Sequence, residues 1–173
     1  MALVVLGLFA PGLARASCTQ ETGNLLAKHN CDFAADVAGW TADSPAAVRH
    51  DPKQGDTAPG ALLADGGPQG SVTVVGPCVK TKPSTRYAYA AHFRTTKGNA
   101  YFCTVQLFAI AADSCAGERA PLAAQGAPPS TDWSIVSADA LTGEDVGFVE
   151  VRLVCSGEPE HEVAWDDLYL MEP

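Results

Sequence analysis

Three pairs of polar residues stand two apart in runs of alternating polarity: His92 and Arg94, Thr104 and Gln106, Glu150 and Arg152. On an extended chain a spacing of two puts both members of a pair on the same side. Imidazole, guanidinium, hydroxyl, amide and carboxylate groups in such rows are the donors and acceptors that a polyhydroxylated ligand needs. Tyr101 and Phe102, at the start of the second run, offer an aromatic flank. A plainer reading fits the same residues: a wetted sheet face laced by cross-strand charge pairs. Catalysis has less to stand on. The chain has no G-x-S-x-G, H-E-x-x-H or G-x-x-x-x-G-K-[ST] motif, and its histidines (29, 50, 92 and 161) are scattered. Carboxylate pairs for glycoside hydrolysis come from distant strands, so acids alone decide nothing. Glu158, Glu160 and Glu162 around His161 read as a solvated turn. The expectation is a protein that is not an enzyme.

The elements that position these residues are short strands. Pro and Gly interrupt the chain at close intervals, and few gaps would hold a helix of usual length. The expected strands are Asn24–Leu26, Gly39–Thr41, Ala61–Leu63, Ser71–Val75, Arg86–Arg94, Tyr101–Ala109, Trp133–Ser137, Phe148–Cys155 and Val163–Leu170. In Arg86–Arg94, Tyr87, Tyr89, Ala91 and Phe93 share one face, with Ala88, Ala90, His92 and Arg94 opposite. Phe148, Glu150 and Arg152 likewise oppose Val149, Val151 and Leu153. Such alternation means one face buried and one wet, and eight or nine such strands make a two-sheet sandwich. Ala34–Val37 reads as a single helical turn at most. Residues 44–60 and 113–132 read as long loops, and Trp40, Trp133 and Trp165 as core.

Length suits one domain at 17–173 behind an atypical signal peptide at 1–16. Leu3 to Leu13 is too short to span a bilayer, Ala14-Arg15-Ala16 is a cleavage-site pattern, and no basic residue follows Met1. A buried N-terminal strand is the alternative for that segment. A lipid anchor on Cys18 is disfavoured because Arg15 stands where an aliphatic residue is wanted. Cys18, Cys31, Cys78, Cys103, Cys115 and Cys155 are spread along the chain without zinc-ligand spacing, which reads as disulfides in a secreted or extracytoplasmic protein. Spacing does not choose among their pairings. With 11 Lys+Arg against 20 Asp+Glu, the chain repels nucleic acid and anionic membranes. No further apolar run is long enough for a membrane helix.

Several motifs, taken in order, resemble the carbohydrate-binding modules of families four, nine and twenty-two. These are Asn24-Leu25-Leu26, Cys31-Asp32-Phe33, Gly39-Trp40, the turn from Pro83 to Tyr87, Trp133, and Val163-Ala164-Trp165-Asp166-Asp167-Leu168-Tyr169-Leu170. The resemblance covers roughly residues 23–171. It departs at Ala34, where the family often has Glu, and at Cys31, where Gly is usual.

The resemblance implies an all-β, antiparallel, galactose-binding-like jelly-roll sandwich that binds an oligosaccharide or polysaccharide through polar rows beside aromatics. It implies one structural calcium held by an Asp of the Asp166-Asp167 pair with Asp32 and loop carbonyls. Hard cations take such oxygen ligands; the bland alternative is a surface carboxylate plus a buried, hydrogen-bonded one. It also implies a Cys78–Cys115 bridge, since Cys78-Val79 and Cys115-Ala116-Gly117 match a recurrent pair. The remaining cysteines then pair by element, Cys103 with Cys155 and Cys18 with Cys31; Cys103–Cys115 is the rival. Two rival functions stay open: a structural or adhesive surface protein that contacts cell-surface proteins without binding sugar, and a small hydrolase or lyase.

Overall fold

The structure is a computed structural model that describes residues 17–42, 44, 47–57, 59–111 and 113–172; residues 1–16, where a signal peptide is expected, lie outside them. Ten strands follow in order: β1 (Thr41–Ala42), β2 (Val48–Asp51), β3 (Ala61–Asp65), β4 (Ser71–Lys80), β5 (Arg86–Lys97), β6 (Ala100–Ile110), β7 (Arg119–Ala127), β8 (Ser134–Leu141), β9 (Phe148–Gly157) and β10 (Glu162–Met171). They form two antiparallel sheets of five. The first runs β1-β4-β9-β6-β7 and the second β2-β3-β10-β5-β8. This is the two-sheet sandwich expected from the alternation, in the jelly-roll form that the resemblance implied.

Period-two patterning decides which side of each strand meets the core. From the first sheet come Val74 and Val79, Cys103, Val105 and Leu107, and Val149, Val151 and Leu153, all buried. The second sheet contributes Tyr87, Tyr89, Ala91 and Phe93, with Val163, Trp165 and Leu170. All belong to one apolar cluster between the sheets. Trp165 packs on Phe93 with ring centroids 5.1 Å apart. Removing such side chains from water is the main favourable term in folding.

A single side chain closes the fold where its ends meet. β10 is irregular between Asp166 and Tyr169, so some of its backbone groups lack strand partners. Asn24 supplies them. Its amide donates to Leu168 O and Cys18 O (3.0 Å each), and its Oδ1 accepts from Leu170 N (3.0 Å) and Leu26 N (3.1 Å). The N-terminal arm is further fixed by the Cys18–Cys31 disulfide and by Trp40, which packs edge-on against Phe33 and donates to His29 O. Cys103 and Cys155 face each other in β6 and β9 and are bonded. Cys78 bonds Cys115, tying the segment before β7 to β4.

Several expectations need correction. Asn24–Leu26 is no strand, because its polar groups serve β10 through one isolated bridge to Met171. Ala34–Val37 forms bends, without a helical turn. The two long loops contain β2 and β7, edge strands whose pairing comes from a neighbour's backbone and needs no strong strand formers. Trp133 precedes β8 and is only half-buried, packed on Ala61, Leu63 and Ala164 on the outside of the second sheet. The turn before His161 is exposed at Glu158 and Glu160, as expected, but His161 itself is fully buried beneath Gly66 and Gly157, which leave room for its ring, and Glu162 is buried where it opens β10.

Candidate functional site

The outer face of the first sheet carries a polar–aromatic array. β6 and β9 lie side by side with Gln106 opposite Arg152, Thr104 opposite Val154 and Phe108 opposite Glu150. Phe102, Thr104, Gln106 and Phe108 therefore project from one face of one strand, over about 20 Å at the usual rise per residue. Phe102 is 44% exposed, and its ring lies over Gly126 of β7, where a Cβ would come within 2.7 Å of it. Tyr101 stands beside it, 58% exposed, at an irregularity in the β6–β9 pairing. Gln106 donates to Thr104 Oγ1 at 3.4 Å, and next to it Phe108, Pro121, Leu122 and Ala124 line a shallow depression.

Glu150 organises the charges. Its side chain is buried and accepts from Arg119 Nε at 2.7 Å through one oxygen and from Arg152 Nε at 2.8 Å through the other. Arg119 is committed beyond this, donating to Gly117 O and Cys115 O in the segment held by the Cys78–Cys115 bridge. Arg152 lies over the Phe108 ring with its guanidinium carbon 4.0 Å from the centroid. Aromatic backing and a carboxylate anchor fix an otherwise flexible side chain in one orientation.

His92 and Arg94 are not part of this array. β5 belongs to the second sheet, so their shared face looks out from the opposite side of the sandwich. β5 and β6, consecutive in sequence, are not neighbours, because the turn at Gly98 carries the chain from one sheet to the other. Gly98 has φ +64°, and its missing Cβ leaves room for His161 at the crossing. Arg94 lies over Trp133 and donates to Gln54 Oε1 at 2.6 Å. His92 is buried, with Nδ1 against Asp56 Oδ2.

That opposite face holds a buried acid cluster. Residues 52–57, which follow β2, cross it and reach Asp166 and Asp167 at the irregular part of β10. Asp166 accepts from Asp56 N (2.7 Å) and Asp167 N (2.8 Å); Asp167 accepts from Cys18 N (3.0 Å) and from the Thr57 hydroxyl. Asp167 itself has φ +43°, which aims its carboxylate inward beside Asp166. Burial, and then the charge of Asp167, push the Asp166 carboxyl up to about 8, against the backbone amides that favour its ionised form.

Asp56, His92 and Asp167 each bring a ligand atom within 4.8 Å of the others. Asp32 does not join that group; its carboxylate serves Ser17, Thr19 and the backbone of Ala34. The donor set suits a divalent cation: buried carboxylates whose charge exceeds that of the one neighbouring imidazole. The imidazole is a nitrogen donor, which borderline cations take more readily than calcium does.

Among solved structures the fold recurs in carbohydrate-binding modules. A family 16 module matches with a TM-score of 0.65 at 17% identity, covering 86% of this chain and 100% of the module. A family 61 module in complex with β-1,4-galactotriose matches with a TM-score of 0.61 at 14% identity, over 87% and 99%. The xylan-binding family 22 module of Xyn10C from Paenibacillus barcinonensis matches with a TM-score of 0.59 at 13% identity, over 83% and 98%. No protein-family model and no curated protein sequence matches the chain. The fold is therefore that of the jelly-roll carbohydrate-binding modules.

The sequence pointed to Thr104, Gln106, Glu150, Arg152 and Tyr101, which the structure places together. It missed Phe108 and Arg119. Phe108 was legible as the next same-face residue after Gln106. Arg119 was not, because nothing in the Ala- and Pro-rich run around it marks a strand. Asp56, in a loop, carried no signal of its own.

Proposed function

We propose that this chain is an exported, non-catalytic carbohydrate-binding module whose ligand lies along the β6–β9 face. The observation that carries the reading is the row Phe102, Thr104, Gln106, Phe108 with Arg152 beside it. Exposed aromatic rings offer apolar faces to the C–H faces of sugars, and the intervening polar groups meet the hydroxyls. The three disulfides support export, since such bonds persist in oxidising compartments. No helix among the described residues is long and apolar enough to cross a membrane. On the strands of this face Glu150 is the only carboxylate, and two arginines hold it, so a two-carboxylate mechanism lacks its second member there.

A structural cation belongs to the same reading. Asp56, Asp167 and His92 would hold it, with Asp166 oriented behind them, and calcium is the ion that the family resemblance implies. Bound there, it would cross-link the segment carrying Asp56 to β5 and β10. It lies across the sandwich from the glycan face and would take no part in sugar recognition.

The adhesive alternative, contacting cell-surface proteins, draws on one fact. No tryptophan lies on the β6–β9 face: Trp40 and Trp165 are in the core, and Trp133 covers the other sheet. A glycan array followed by calorimetry decides. The expected result is binding to at least one polysaccharide class, with no reducing ends released on prolonged incubation. Silence across the array would favour the adhesive protein, and release of sugar would make the chain an enzyme.

A further inference from the structure

Charge is distributed unevenly between the two sheets. The strands of the first sheet carry Lys80, Arg119 and Arg152 against the single acid Glu150. Those of the second carry Arg49, Arg86, Arg94 and Lys97 against Asp51, Asp65, Asp139, Glu162, Asp166 and Asp167. In a chain of formal net charge −9, the strands of the first sheet thus form an island of net positive charge.

The geometry of that island is specific. Glu150 is 3% exposed, so the one negative group is withdrawn from the surface. Arg119 is consumed by Glu150 and two backbone carbonyls, which makes it a buttress. Arg152 is different. Its Nε and Nη2 edge is held by Glu150 Oε1, and its plane rests on Phe108. Its Nη1 makes no hydrogen bond to the protein among the described residues, and the side chain is 26% exposed. A guanidinium fixed flat, with donors left over and surplus positive charge around it, is a receptor for a planar or tetrahedral oxyanion. Gln106, directly across the ladder, and the depression beside Phe108 lie next to it. A neutral sugar makes no use of the surplus charge, whereas an anionic one is drawn to it.

We propose that the glycan bound on this face is acidic, with the carboxylate of a uronic acid unit or a sulfate ester docked on Arg152 and the sugar ring against Phe108. This rests on the glycan-binding reading and names the ligand class for that site. Gln106 reaches a neighbouring hydroxyl, and Lys80, exposed on the same face, adds to the long-range field.

The test is calorimetry of the full chain with three probes of equal length: oligogalacturonate, a sulfated galacto-oligosaccharide and a neutral β-1,4-galacto-oligosaccharide. Each is titrated at about 0.05 M and about 0.5 M salt, which shortens the screening length roughly threefold. One or both anionic probes should bind at least about tenfold more tightly than the neutral one at low salt, and the gap should narrow at high salt. Carboxylate or sulfate preference is then read from the first two arms. Arg152→Gln should remove the preference while Arg152→Lys keeps part of it. Lys80→Gln, on an exposed side chain, should reduce the salt dependence without touching the fold, so the test survives a misfolded Arg152 variant. Equal or tighter binding of the neutral probe would overturn this inference and leave the glycan reading standing. A preference that persists in folded Arg152→Gln would overturn it too. Failure of all three probes would overturn the inference, and the array result would then say whether the glycan reading falls with it.

Discussion

Asn24→Ala should be among the most damaging single substitutions in this protein. The side chain is buried and uses both amide hydrogens and its carbonyl, joining the N-terminal arm to the irregular stretch of β10. Alanine would strand Leu168 O, Leu170 N, Leu26 N and Cys18 O. A net hydrogen bond is worth about 1 kcal/mol, and a buried group left unsatisfied costs about 1–3 kcal/mol. Water entering the vacated space would recover part of this. The expected loss is about 3–5 kcal/mol, which at about 3 °C per kcal/mol for a domain of this size lowers Tm by roughly 10–15 °C. Urea unfolding followed by tryptophan fluorescence reads it, because Trp165 and Trp40 are buried in the fold. The slope with urea should stay unchanged while the midpoint falls. Asn24→Asp should be no milder, since it keeps the acceptor but places a carboxylate oxygen against two carbonyls. A loss below about 1 kcal/mol in either variant would refute the view that this side chain closes the fold.

Three further outcomes follow from the same geometry. Replacing Cys103 and Cys155 together by serine should cost about 4 kcal/mol in the chain-entropy view for a separation of 52 residues, with the β6–β9 ladder still formed; denaturant unfolding measures it, and an unchanged midpoint would contradict it. In chelator-treated protein Asp166 keeps its proton in the fold up to about 8 and in the unfolded chain only to about its ordinary 3.8, so the folded state holds more protons between these values and stability falls as pH rises through them. Asp166→Asn should remove that slope, and parallel Tm–pH curves for the two proteins would exclude it. Adding calcium or zinc to chelated protein should raise Tm, by about 2.7 kcal/mol of added stability at a hundredfold excess over Kd, and Asp167→Ala or Asp166→Ala should abolish the rise; zinc is expected to gain more from His92 than calcium does, and no shift with either ion removes the cation.

What the sequence disclosed was the in-and-out pattern of single strands. Tyr87, Tyr89, Ala91 and Phe93 face the core and His92 and Arg94 do not, as alternation demanded. Alternation carries no information about which sheet a strand joins. His92 and Arg94 therefore looked like companions of Thr104 and Gln106, although Gly98 turns the chain across the sandwich between them. Trp133 shows a second limit. Size and hydrophobicity favoured the core, but the residue lies outside β8, where small side chains at Ala61 and Ala164 and the Arg94 guanidinium make a second apolar seat. The edge strand Arg119–Ala127 lacked the β-branched and aromatic residues that reveal a strand, and with it went Arg119 and the second half of the charge pairing at Glu150. The acid cluster was half-legible: Asp166-Asp167 stood out, while Asp56 meets them only through the path of residues 52–57, and His92 through the β5–β10 register that sets it opposite Asp166.

The most direct measurement is amide-resolved NMR of the full chain titrated with whichever oligosaccharide binds in the array. Glycan recognition by the β6–β9 face predicts shift changes confined to residues 101–108, 119–126 and 148–154, and their loss in Phe108→Ala at unchanged fold. Changes centred instead on β5, β8 and β10, around Trp133, His92 and Tyr169, would contradict the account and move the site to the other sheet.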